Sequence, residues 1–280
     1  MEERVGVVGS GLMGSEIALV YALSGYDVRL SDRSREVVQA SLVRIRSVVA
    51  KGVSRGFYKE EQGALALARI VPSALEEFGD RDFVTEAVFE DLDVKTEVLT
   101  ALAKHCPPEC LIASNTSSIP ISTLAARLPA QRRHRFIGTH YFSPVSRMPL
   151  VEVIPGFETG EDTIDLSIRL CKSVGKTPIR IKDVPGFAVN RVLHVFLIEA
   201  VRLVEEGVAT PEDIDTACKL GLGHPIGPFE LMDATTSKLC LQAQDIMFDA
   251  YGERFRPRPL LKQRVQAGLV GGRNARGWRR

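Results

Sequence analysis

The chain has 280 residues, 45% of them hydrophobic and 25% charged, with a formal net charge of +1. That length suffices for one large domain or two moderate ones, and so even a charge balance argues against a nucleic-acid or anionic-membrane surface. No apolar run reaches 18 residues, and Glu2, Glu3 and Arg4 stand directly before an apolar run, so neither a membrane span nor a secretory leader is expected.

In chain order, the first element is an apolar β-run ending at Val8, which breaks into Gly9-Ser10-Gly11-Leu12-Met13-Gly14. A second run, Asp27 to Ser31, ends in Asp32. Strand, Gly-x-Gly-x-x-Gly, helix, strand and terminal acid in this register form a mononucleotide-binding unit. Gly9 permits the tight turn, Gly11 lets backbone approach a pyrophosphate, and Gly14 lets the helix pack closely. The helix N-terminus receives the phosphate charge. A carboxylate at Asp32 accepts ribose hydroxyls and repels a 2′-phosphate, which favours NAD over NADP; the adjacent Arg33 softens that preference.

Residues 34–52 and 59–68 then read as two helices joined by Gly52 to Gly56, a helical hairpin inserted after the second strand. Short apolar runs at 69–71, 82–86, 110–114, 135–140, 150–154 and 177–182 read as strands. Helical periodicity lies between them at 92–104 and 161–174, with Gly175 as a left-handed terminator. Alternating strand and helix predicts a doubly wound, mostly parallel sheet. Beyond Pro185-Gly186 there is no convincing strand. Helices are expected at 187–206, after the Thr210-Pro211 start, and at 226–251 and 258–268. The expected fold is α/β: a Rossmann-like domain over 1–183 carrying the hairpin insertion, followed by an all-α domain over 184–280. Five scattered cysteines (Cys106, Cys110, Cys171, Cys218, Cys240) lack metal-site spacing and read as reduced thiols of a cytoplasmic protein with no metal.

Three segments supply polar groups at expected strand ends or at the junction of the two halves. Ser114-Asn115-Thr116-Ser117-Ser118 follows a strand, where hydroxyls and amides can hold substrate oxygens or simply cap a helix. Thr139-His140-Tyr141 ends another strand, and Glu152 lies inside the apolar run Leu150 to Ile154, where burial demands a partner. His140 is the nearest candidate, and a histidine with a carboxylate on its far nitrogen is a suitable base for an alcohol proton. His105 and His134 read as surface residues and His194 as a packing residue. Asn190, after Pro185-Gly186-Phe187-Ala188-Val189, could donate to a developing oxyanion or serve as a structural hydrogen-bonder.

Together these stretches resemble the L-3-hydroxyacyl-CoA dehydrogenase family over essentially the whole length. The resemblance runs through the glycine loop, Glu86-Ala-Val-Phe-Glu90, Ala-Ser-Asn-Thr-Ser-Ser, His140-Tyr-Phe-Ser-Pro with Leu-Val-Glu152, Asp-Val-Pro-Gly-Phe-Ala-Val-Asn190-Arg and Gly221-Leu-Gly-His-Pro-Ile-Gly-Pro-Phe-Glu-Leu. It implies an NAD-dependent enzyme with His140 as base, Glu152 as its partner, and Ser117 and Asn190 positioning the substrate oxygen. Gly9, Gly11, Leu12, Met13, Gly14, Asp32, Arg33, Glu90, Lys95, Ser117 and Arg273 would then line the cofactor site. Lys51 and Arg55 on the hairpin would meet the phosphates of an acyl-CoA thioester, and the helical domain would form a homodimer. Ser143 and Pro149 depart from the family's usual Asn and Lys, as do Val48 and the C-terminal residues. The departures at Ser143 and Pro149 lend weight to a free hydroxy acid as an alternative substrate. A non-catalytic NAD-binding protein would be expected to have lost the base or the glycine loop, and both are present.

Overall fold

The computed structural model describes residues 4–272 and 275–279, and the chain divides into two compact units, one ending at Asp183 and the other beginning at Val184. Each is described by itself.

The first unit is built on eight strands: β1 (Arg4–Val8), β2 (Asp27–Ser31), β3 (Ile70–Pro72), β4 (Phe83–Glu86), β5 (Leu111–Ser114), β6 (Phe136–Tyr141), β7 (Leu150–Pro155) and β8 (Thr177–Arg180). They form one sheet in the order β3-β2-β1-β4-β5-β6-β7-β8. All neighbours run parallel except β6 and β7, where Tyr141 pairs with Val151 and His140 with Glu152 across a hairpin. The order reverses direction between β1 and β4, the switch point where an open α/β sheet leaves a crevice at its carboxyl ends. Val5, Val7, Val28, Leu30, Leu111 and Ile137 are wholly buried, because a sheet covered on both faces needs continuous apolar strands.

Among the described residues seven α-helices belong to this unit: α1 (Leu12–Leu23), α2 (Arg35–Ser54), α3 (Glu60–Arg69), α4 (Leu92–His105), α5 (Ile121–Ala125), α6 (Ala130–Arg133) and α7 (Glu161–Ser173). The two expected hairpin helices are α2 and α3. Helix α2 starts on Ser34, whose hydroxyl accepts from the Val37 N–H, and α4 starts on the Asp91 carboxylate. The short α5 and α6 had no periodic signal. Helix α5 begins where the Asp183 carboxylate accepts the Ile121 and Ser122 N–H groups at 2.8 and 2.7 Å, a cap supplied from 61–62 residues away.

The second unit holds α8 (Val189–Glu205), α9 (Pro211–Gly221), α10 (Pro228–Thr235), α11 (Ser237–Tyr251) and α12 (Pro259–Gln266). The single helix expected over 226–251 is two, broken at Thr236 with φ +87°, whose hydroxyl caps the second through the Leu239 N–H. A core of Leu197, Val201, Phe229, Met232, Leu261 and Trp278 closes the bundle. Among the described residues no helix is long and apolar enough to cross a membrane.

Candidate active site

The glycine loop follows from backbone sterics. Gly9 has φ +95°, and a Cβ there would meet the Ala87 carbonyl oxygen at 2.5 Å. A Cβ on Gly14 would sit 1.7 Å from the Gly9 carbonyl oxygen, so only glycine lets α1 start here. Around Gly11 a Cβ would meet nothing within 4 Å, which leaves the α1 N-terminus open to an anion. Asp32 braces this loop: its Oδ2 accepts the Ser10 N–H and hydroxyl at 2.6 and 2.9 Å, and its Oδ1 accepts the Arg33 N–H at 2.7 Å. The Arg44 guanidinium donates to the Ser10 carbonyl at 2.7 Å. Ser10 and Arg44 carried no signal of their own, being an unspecified loop position and one of several arginines on a helix.

A cavity of about 1130 Å³ opens beside the loop, lined among others by Gly9, Gly11, Asp32, Arg33, Arg44 and Val88. Its floor is the switch point. An elongated dinucleotide fits a cradle of this size, with open backbone at Gly11 and a carboxylate at the end of β2. Leu12, Met13, Glu90, Lys95 and Ser117 are outside that lining, and Gly14 is buried beneath it.

Glu90, Lys95 and Ser117 come together one strand further on. The Glu90 Oε1 accepts the Thr116 hydroxyl (2.6 Å), the Ser117 N–H (2.9 Å), and the Ser118 N–H and hydroxyl (both 2.8 Å). The buried Lys95 ammonium donates to Glu86 Oε1 at 2.8 Å and lies 3.3 Å from Glu90 Oε2. Glu86 also accepts the Ser114 hydroxyl at 2.6 Å and the Val88 N–H at 2.7 Å. Burial works against the charged form of Glu90, yet the Lys95 ammonium and the hydroxyls of Thr116 and Ser118 outweigh it and hold its pKa below the usual value. Glu86 was visible in the sequence only as the first residue of its motif; being wholly buried on a central strand, it is the hub of this network.

His140 and Glu152 meet because β6 and β7 pair antiparallel with these two residues directly opposed, which puts both side chains on one face. The His140 Nδ1 and Glu152 Oε2 are 2.8 Å apart, and both side chains are buried. Phe142 lies against the imidazole at 4.6 Å between ring centres. Asn115 ties the Ser117 segment to this strand end: its Oδ1 accepts the Tyr141 N–H at 2.9 Å.

Lys51 and Arg55 are exposed at the end of α2, four residues apart and so on a common face. In the second unit Asn190 is half-buried in the first turn of α8. It follows the consecutive left-handed residues Gly186 (φ +75°) and Phe187 (φ +44°). A bulky residue there costs about 1–3 kcal/mol and persists only where its surroundings dictate it; Phe187 is fully enclosed. Arg273 lies outside the described residues.

A Rossmann sheet, a dinucleotide cradle and a buried histidine–carboxylate pair at a strand end define an NAD-binding dehydrogenase. Comparison narrows the class. Sequence profiles of the 3-hydroxyacyl-CoA dehydrogenase NAD binding domain and of the C-terminal domain of the same family match residues 4–184 and 186–280. The chain belongs to the 3-hydroxyacyl-CoA dehydrogenase family. It is 40% identical to a probable 3-hydroxybutyryl-CoA dehydrogenase of Bacillus subtilis, over 99% of this chain and 96% of that one. It is 37% identical to the mitochondrial hydroxyacyl-coenzyme A dehydrogenase of Sus scrofa, over 99% and 90%. The crystal structure of (S)-3-hydroxybutyryl-CoA dehydrogenase from Ralstonia eutropha superposes with a TM-score of 0.94 at 37% identity, covering 99% of this chain and 98% of that one.

Proposed function

We propose that the protein interconverts a 3-hydroxyacyl-CoA thioester and its 3-ketoacyl-CoA with NAD, using His140 as the base. NAD, when bound, supplies the hydride acceptor. A carboxylate on Nδ1 selects the tautomer in which Nε2 is the basic nitrogen, so Nε2 takes the hydroxyl proton while Glu152 stabilises the imidazolium that results. The Ser117 hydroxyl holds the substrate oxygen, and in the second unit the Asn190 amide is the candidate donor. Gly9, Gly11, Leu12, Met13 and Gly14 would carry the pyrophosphate, with Asp32 and Arg33 at the ribose. Glu90 acts here by fixing the Ser117 segment, and Lys95 acts through Glu90 and Glu86. Lys51 and Arg55 meet the CoA phosphates, whose several negative charges suit a paired cationic face.

The His140–Glu152 contact of 2.8 Å, buried at a strand end, carries this proposal. The relatives' names support the thioester. Exposed apolar side chains on the helical unit, among them Val192, Leu220 and Leu222, support its use as a homodimer face. The test is His140→Ala assayed with 3-hydroxybutyryl-CoA and NAD. Turnover is expected to fall by ~10²–10⁴-fold while NAD affinity stays within a factor of about two. Near-normal turnover in that variant would exclude His140 as the base.

A further inference from the structure

Beyond the base and its carboxylate, the eight-residue connection between β6 and β7 is held by two charged side chains from distant elements. The Val145 N–H donates to the Glu16 carboxylate of α1. The Val145 carbonyl accepts from the Lys176 ammonium, just before β8, which also donates to the Met148 carbonyl at 3.0 Å. Val145 is wholly buried and Lys176 nearly so. Burial pushes the Lys176 pKa down, and the nearby Glu16 charge partly restores it; the two side chains hold the two peptide groups that flank the Val145 Cα. The same helix reaches this hairpin a second time, through the Tyr21 hydroxyl, 3.0 Å from the Tyr141 hydroxyl. Successive side chains alternate faces along a strand. Helix α1 therefore grips the hairpin through Tyr141 on one face while His140 meets Glu152 on the other.

We infer that Glu16 and Lys176 are positioning residues for the base: by holding Val145 through the N–H on one side of its Cα and the C=O on the other, they fix the hairpin end that carries His140 and Glu152. The clamp matters because this connection is also where Ser143 and Pro149 leave the family's usual residues. Helix α1 starts at the dinucleotide loop, so one rigid element sets both the phosphate end of the cradle and the hairpin of the base.

The role assumes that His140 is the base proposed above, and the experiment separates the two. Glu16→Leu removes the acceptor, Glu16→Gln keeps one, and Lys176→Met removes the opposing donor. With 3-hydroxybutyryl-CoA, Glu16→Leu and Lys176→Met are each expected to lower kcat about tenfold, the scale of a lost charge-assisted hydrogen bond. The KM for NAD should move less than about twofold, because positioning of the base acts on the transition state and not on cofactor binding. Glu16→Gln should stay within about twofold of the parent. The double variant should be no slower than the slower single one, since both changes release the same residue, Val145. Parent-like kcat in Glu16→Leu, a loss confined to KM for NAD, or Glu16→Gln as slow as Glu16→Leu each overturns the clamp. Should Glu16→Leu fail to fold, Glu16→Gln and Lys176→Met still decide. His140→Ala measured alongside keeps the outcomes distinct: if it stays active the base is wrong, and if it is inactive while the clamp variants are normal, only the clamp is wrong.

Discussion

His194 illustrates how a titratable residue can be expensive without being catalytic. It lies on α8, 5% exposed, and its Nδ1 has no hydrogen-bond partner among the described residues. Burial pushes its pKa from 6.5 down to about 4, because the imidazolium would lose its hydration. The neutral form is therefore the folded form. Above pH about 6.5 the folded and unfolded chains bind the same protons there, and no stability is lost. As pH falls from about 6.5 towards about 4, the unfolded chain takes up a proton the fold excludes, and stability drops by up to the order of 3 kcal/mol. His194→Met removes that term and the orphaned nitrogen. Its melting temperature should exceed the parent's by more at pH 5 than at pH 8. A parent-like difference between the two pH values in the variant would show that another group sets the acid limb. The packing role read for His194 in the sequence followed from its place on a long amphipathic helix. Its missing partner could be known only from three dimensions.

At the scale of elements, the loop after β5 depends on charges from the segment before α4 and from α4 itself. Glu90 gathers four donors from Thr116, Ser117 and Ser118, and Lys95 on α4 supports it from below. Glu90→Gln keeps the shape but weakens these bonds, since a neutral acceptor replaces a charged one. Turnover should fall about tenfold or more, and the acid sensitivity of unfolding should flatten. The sign follows from the depressed pKa: the carboxylate stabilises the fold above its ordinary value of 4.5 and loses that contribution as pH falls through its folded value. Unchanged turnover in Glu90→Gln would mean that the Ser117 segment is held without it. Much of this region was legible in sequence, because the β-run, the Ser/Thr cluster and the helical repeat of α4 each carry their own period. The pairing of Glu86 with Lys95 was not, since a lysine on an otherwise apolar helix face reads as a side chain that reaches solvent. Thr236 escaped for a similar reason: one threonine barely interrupts a helical pattern, and only the left-handed backbone there splits α10 from α11. Helices α5 and α6 are too short to show a period, and the cap that starts α5 comes from Asp183.

For the molecule as a whole, the substrate question is one of charge placed far from the chemistry. The His140–Glu152 pair would accept a proton from any suitably held alcohol, so it does not distinguish a thioester from a free hydroxy acid. That choice belongs to remote binding energy, which raises turnover when it is used to orient the reacting carbon. Lys51 and Arg55 offer such energy: they project on one exposed face of α2, where neither forms an ion pair among the described residues. The parent is expected to favour 3-hydroxybutyryl-CoA over free 3-hydroxybutyrate by about a hundredfold or more in kcat/KM. Reversing both charges, Lys51→Glu with Arg55→Glu, should raise the KM for the CoA ester about tenfold. That increase should be larger at low salt, as expected for exposed charges screened over about 10 Å at 0.1 M ionic strength. Turnover of the free acid should not respond, because it never reaches the hairpin. If the parent handles both substrates equally well, the hairpin is not a CoA site and the free-acid alternative gains. If the ester is preferred but the reversal leaves its KM unchanged, the thioester stands and its phosphates must be met elsewhere.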